Sequence, residues 1–174
     1  LNGNFRRSGE YENGLGRPVV GSDFEAFSGL AKVVHRFGDN NEQSLRLSYE
    51  RWQSEDDNAQ YSLTGTLGFG TIDRDITDQT VALIYENPAS DNPWLNLKLN
   101  LSFSDTQVKQ SNASAPIPSP LFFDSEYGYR TWSGRVENTF DYVGDSIRNY
   151  FTFGTQVSYQ ERIATTRFSV VTRG

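Results

Sequence analysis

Cysteine and methionine are absent from all 174 residues, and histidine occurs once, at His35. Without thiols there is no disulfide framework, no thiolate zinc site and no cysteine nucleophile. With a single imidazole and no G-x-S-x-G turn, a serine hydrolase would lack its recognisable elbow, and an enzyme is not expected. The 16 Lys and Arg are scattered and outnumbered by 22 Asp and Glu, so the formal charge of -6 argues against nucleic acid as a partner. No apolar run approaches the length of a membrane-crossing helix, and the mean hydropathy is -0.61. Neither fact excludes a membrane, because a barrel strand is apolar only at alternate positions and averages as hydrophilic.

What the chain does have is aromatic content, 14% of its residues, and long stretches of strict alternation. Leu95, Leu97, Leu99, Leu101 and Phe103 oppose Asn96, Lys98, Asn100, Ser102 and Ser104. Phe151, Phe153, Val157 and Tyr159 oppose Thr152, Gln156, Ser158 and Gln160, while Leu45, Leu47 and Tyr49 oppose Arg46, Ser48 and Glu50. Trp132, Val136 and Phe140 stand against Arg135, Glu137 and Asp141. Strand side chains alternate between faces, so each segment presents one apolar and one hydrophilic side.

Strands are predicted at about 4–12, 23–37, 43–54, 74–86, 94–109, 127–142 and 149–165. Short turn-forming connections, 38–42, 87–93 and 143–146, alternate with longer ones at 13–22, 55–73 and 110–126. That order of short and long is expected of an up-and-down outer-membrane barrel, with turns at one rim and loops at the other. Several strands also exceed the ~5–6 residues usual in soluble sheets and meet the ~9–11 that a tilted membrane strand needs. A soluble barrel would show the same alternation with the apolar row inward; strand length and loop order favour lipid outside and water inside. The fold class is therefore all-β, an antiparallel up-and-down transmembrane β-barrel segment.

Four segments carry a resemblance: RRSGEYENG from Arg6 to Gly14, LRLSYE from Leu45 to Glu50, DQTVAL from Asp78 to Leu83, and Tyr85 to Lys98 with its NP, DNPW and LNLK elements. Together they resemble the barrel of TonB-dependent haem or haemoglobin receptors, and the run from Tyr85 to Lys98 is the most specific part. The resemblance implies a 22-stranded outer-membrane barrel around a plug, of which residues 1–174 form about seven strands of one barrel domain. Plug, C-terminal strands, energy-coupling box and the family's haem-ligating histidine loop are expected outside this chain. It further implies the outer membrane of a Gram-negative bacterium, outer-membrane lipid and the TonB complex as partners, and haem or a haemoprotein as transported ligand, with no intrinsic cofactor. A siderophore in place of haem stays open, as does a soluble carbohydrate- or lipid-binding β-module.

Candidate sites are sparse. His35 shares strand parity with Val33 and Phe37 and is expected to face lipid near the inner rim. Carboxylates at Glu55, Asp56, Asp57 and at Asp73, Asp75, Asp78 lack the spacing of a calcium loop and read as solvated charge. Gly65 to Gly70 lacks the lysine of a phosphate loop. Trp52, Trp94, Trp132, Tyr129, Tyr142 and Tyr150 lie near strand ends, where amphipathic rings anchor membrane interfaces. Phe122 and Phe123, after the proline-bearing loop, are the expected outer-loop ligand contacts.

Overall fold

A computed structural model describes residues 1–60, 70–89, 91–114, 124–144 and 147–167. Seven strands follow one another: β1 Asn2–Ser8, β2 Phe24–Phe37, β3 Gln43–Gln60, β4 Thr71–Asn87, β5 Leu97–Ser114, β6 Asp124–Val143 and β7 Arg148–Arg167. They form one sheet in chain order, every neighbouring pair antiparallel. Only a three-residue 3-10 turn, Asp39–Asn41, interrupts the all-β pattern among the described residues, and Gly38 enters it with φ 80°. This left-handed entry is open to glycine without steric cost.

Register turns the one-dimensional alternation into rows. His35, Leu45, Tyr85, Leu99, Val136 and Thr155 are successive partners across the sheet, as are Val33, Leu47, Leu83, Leu101, Gly134 and Val157. The next row toward the long loops is Ala31, Tyr49, Val81, Phe103, Trp132 and Tyr159. A one-residue slip of any strand would carry Arg46, Lys98 or Arg135 onto this apolar face, so the pattern locks the register.

No core of described residues lies beneath it. Among the described residues, Ala59, Ile72 and Ala89 are the buried apolar side chains, whereas Leu47, Leu101, Trp132, Phe153, Val157 and Tyr159 are exposed. The apolar face is therefore a surface, and the sheet needs something apolar against it.

That face is a band with limits. On β1 and β2 it climbs to the paired Phe5 and Phe27, and on β6 and β7 it descends to the paired Phe140 and Phe151. Such a diagonal drift is what a flat apolar slab produces when it crosses tilted strands. Phe151 to Tyr159 advances roughly 27 Å along the strand at about 3.4 Å per residue, or roughly 21 Å after a tilt of about 40°, near the ~25 Å apolar band of outer-membrane barrels.

Several boundaries differ from the sequence reading. β1 ends at Ser8, not near residue 12, and Leu95 belongs to a turn, its N–H bonded to the Asn92 carbonyl at 3.1 Å, so β5 starts at Leu97. β3, β4, β5 and β6 run well into the expected connections 55–73 and 110–126. Above the band the apolar residues no longer keep to one face, since Ile76, Val108, Tyr127 and Ala164 are partners on the other, so the simple alternation fades while the backbone ladder continues.

Candidate functional site

Two surfaces and one loop carry whatever this chain does. On the polar face, Val34, Arg46, Ile84, Asn100, Arg135 and Gln156 form one row, and Lys32, Ser48, Ala82, Ser102, Ser133 and Ser158 the next. Short side chains pair across strands: Ser102 and Ser133 hydroxyls lie 2.6 Å apart, Thr139 and Thr152 2.8 Å apart, and Gln160 Nε2 donates to Thr131 Oγ1 at 3.2 Å. Charges are matched nearby, Arg46 with Glu86 at 3.9 Å, Arg135 with Glu137, and Arg148 Nε with Asp141 Oδ2 at 3.0 Å. Such a wall stays wetted and offers hydroxyl and amide contacts to whatever occupies the space before it.

Three aromatic residues assigned above to the interfaces sit instead on this polar face. Trp52 shares the parity of Arg46, and Tyr129 and Tyr150 share that of Arg135 and Thr152, because nearness to a strand end does not set the face. Trp52 lines a hollow of about 320 Å³ with Asn4, Arg6, Phe24, Ser28 and Ser54. The Arg162 guanidinium carbon lies 6.0 Å from the Tyr129 ring centroid, and that of Arg148 lies 5.2 Å from Tyr150. Trp132, Trp94 and Tyr142 are exposed, Trp132 within the apolar row and Trp94 against Phe140 with ring centroids 5.4 Å apart. His35 is exposed beside Phe37, ring centroids 5.6 Å apart, at the short-turn end of the apolar face.

Immediately above the Tyr49–Trp132–Tyr159 row the apolar face becomes charged: Gly29, Arg51, Gln79, Asp105, Arg130 and Glu161 are register partners. Tyr49 donates its hydroxyl to Gln79 at 3.0 Å, and Arg130 Nε meets Asp105 Oδ2 at 3.4 Å. Sequence inspection missed this row because its members come from different strands and none is adjacent to another in the chain. Among the described residues, two shielded side-chain atoms have no hydrogen-bond partner, Asp105 Oδ1 in this row and Arg46 Nε on the polar face.

Farther up, Asp73 joins two irregularities. β3 bulges between Asp56 and Ala59, the register of β4 with β5 shifts between Thr71 and Asp73, and Asn58 and Asn112 adopt φ of 52° and 55°. Asp73 accepts the Asn58 backbone N–H at 2.9 Å and the Asn112 amide at 2.6 Å. The Asn58 N–H first, then the Asn112 amide, hold its carboxyl below the usual range, against the opposing effect of burial. A depressed folded-state value stabilises above the unfolded value of about 3.9 and is lost as pH falls through the folded one. Asp73→Ala should therefore loosen both bulges near neutral pH, with the difference from the parent closing below about pH 4 in hydrogen-exchange comparisons; a difference unchanged down to about pH 2 would contradict the assignment. The other carboxylates do not converge: Asp75 shares a face with Lys109, Asp78 accepts from Thr106 on the opposite one, and no acidic or histidine group among the described residues is arranged to hold a metal ion.

The loop between β1 and β2 is ordered by its own hydrogen bonds. Asn13 Oδ1 accepts the N–H groups of Leu15 at 2.9 Å and Arg17 at 3.1 Å, Asn13 N–H reaches Arg17 O at 2.8 Å, and Gly16 N–H reaches Asn13 O at 2.9 Å. The Asn-Gly-Leu-Gly run at 13–16 is the signal for such a turn. Glu10 accepts from Gly21 N–H at 3.1 Å and Ser22 Oγ from Tyr11 N–H at 3.1 Å, leaving Tyr11, Leu15 and Val20 exposed. Phe122 and Phe123, the expected ligand contacts, lie outside the described residues, as do residues 65–69 of the glycine-rich run.

No protein-family model matches the chain, and no curated protein does. Among solved structures it is similar to a double mutant of the Serratia marcescens hemophore receptor HasR in complex with its hemophore HasA and heme, at TM-score 0.76 and 19% identity. The match covers 96% of this chain and 23% of that one, so the chain spans under a quarter of the receptor's length. At this identity the likeness establishes the fold: an open antiparallel sheet matching a fragment of a receptor β-barrel.

Proposed function

We propose that this chain is a wall segment of a 22-stranded outer-membrane barrel, a TonB-dependent receptor that captures haem or a haem-carrying protein at its outer loops and imports it unchanged. One observation carries the reading: a solvent-exposed apolar band, bounded by an aromatic row and then a charged row, lies back to back with a predominantly polar wall. A sheet between acyl chains and an aqueous lumen needs both faces, and closure by further strands removes its open edges. A soluble module would bury this row, and here Leu45, Leu47 and Leu101 are exposed.

In this reading the short turns face the periplasm, and the long connections, with Phe122 and Phe123 as ligand contacts, face outward. The polar wall keeps the passage wet around a plug supplied elsewhere in the protein, through which the TonB complex acts. Haem is cargo, and the similar receptor structure, a complex with heme and a hemophore, supports that class of ligand.

Ferric haem titrated into the full-length receptor should shift and sharpen the Soret band with saturation at one equivalent. Tight binding of a ferric siderophore with no Soret change would refute the haem assignment while keeping the transporter.

A further inference from the structure

On the polar face, β1, β2 and β3 enclose the hollow of about 320 Å³ that Trp52 borders. Its floor is made of small side chains, Ala26, Ser28 and Ser54, and its walls of long ones, Asn4 and Arg6 on β1, Phe24 on β2 and Trp52 on β3. Register puts Asn4, Ser28 and Trp52 in one row and Arg6, Ala26 and Ser54 in the next. Farther along the sheet many polar side chains of this wall pair with one another, as Ser102 does with Ser133 and Arg135 with Glu137. Around the hollow they stay open: among the described residues the side chains of Asn4, Arg6, Ser28 and Trp52 make no hydrogen bond or ion pair. Arg7, on the opposite face, is by contrast held by Glu25 at 3.0 Å.

We propose that this hollow binds one acidic sugar, its ring flat on Trp52, its carboxylate on Arg6 and its hydroxyls on Asn4 and Ser28. The open groups are a guanidinium, an indole N–H, an amide and a hydroxyl, every one of them a donor, and they call for a ligand rich in acceptors and carrying negative charge. The C–H groups of a pyranose suit the electron-rich face of an indole, while its edge oxygens suit the polar rim. A planar aromatic acid would leave Asn4 and Ser28 unpaired. The nearby carboxylates are engaged on the far side, Asp78 by Thr106 of β5 and Asp56 by Ser54, so the anionic end of the ligand belongs at β1. From β1 to β3 is two strand spacings, roughly 9.6 Å, room for a single six-membered ring and not for a porphyrin. The site is therefore distinct from any haem passage and does not depend on the cargo.

Saturation-transfer NMR of the full-length receptor in mild detergent, with glucuronate, galacturonate and N-acetylneuraminate as probes, tests this. At least one should bind, and glucose should bind about tenfold more weakly or not at all. Arg6→Gln and Trp52→Ala should each weaken that binding about tenfold or more, and Arg7→Gln should leave it unchanged. No binding of any of the three acids, equal binding of glucose, tighter binding of benzoate, or an equal loss in Arg7→Gln overturns the proposal. Should Trp52→Ala fail to assemble, unchanged binding by Arg6→Gln is decisive by itself. The methyl glycoside of the bound sugar separates its sources: affinity equal to that of the free acid identifies the end of a glycan, and lost affinity the free monosaccharide. A receptor that holds the sugar but gives no Soret change loses the haem assignment and keeps this site.

Discussion

Leu99→Arg is expected to cost the assembled barrel about 2–4 kcal/mol, whereas Asn100→Arg, one residue away, should cost no more than about 1 kcal/mol, the repulsion from its cross-strand partner Arg135. The two positions share a strand, a local backbone and a depth, and lie on opposite faces. Leu99 lies between Tyr85 and Val136 in the apolar rows, and Asn100 between Ile84 and Arg135 on the polar wall. In the proposed barrel a guanidinium at the first would have to be solvated inside hydrocarbon or drag water and headgroups toward it, whereas at the second it would meet an aqueous lumen. Reversible urea unfolding from lipid vesicles, followed by the fluorescence of Trp52, Trp94 and Trp132, measures both. Equal costs, or a larger cost at position 100, would show that the two faces have been assigned to the wrong solvents.

Gly21→Ala carries the second large expected effect. Gly21 has φ +71°, and an added Cβ would sit 2.2 Å from the Asn58 carbonyl oxygen, inside the β3 bulge. The left-handed conformation alone costs a non-glycine residue about 1–2 kcal/mol, and the clash with backbone cannot be relieved by a rotamer change. The loop should therefore lift away from β3 while the ladder below stays paired. Amide exchange reports this directly: the N–H groups of Tyr11, Val19 and Gly21, all hydrogen-bonded in the closed loop, should lose protection by about tenfold or more. Gly16→Ala supplies the contrast, since Gly16 has φ +70° with nothing within 4 Å of the added carbon; it should show the conformational cost only. If the two substitutions loosen the loop equally, the Gly21–Asn58 approach is not what seats it.

The rows that define this protein show how much was readable beforehand. Leu45, Leu99, Val136 and their alternating neighbours announced strand, face and approximate boundaries, because a period of two is written into consecutive residues. Polar segments announced little: the strand extensions toward Gln60 and Ser114 carry no alternation, and their order comes from cross-strand hydrogen bonds and from Asp73 joining Asn58 to Asn112. The aromatic assignments split in the same way. Trp132 falls in the apolar row as its parity with Val136 indicates, while Trp52, Tyr129 and Tyr150 were placed by distance to a strand end, which says nothing about side.

By itself, then, the chain determined that it would be strands with one greasy and one wetted side, joined by turns and loops in alternation, since these depend on near neighbours in the sequence. Only the tertiary structure decided which side chains from different strands share a row: the aromatic line of Tyr49, Phe103, Trp132 and Tyr159, and the charged line above it. Those depend on register between residues far apart in the chain, and registry is set by the summed fit of whole strands, which no local segment contains.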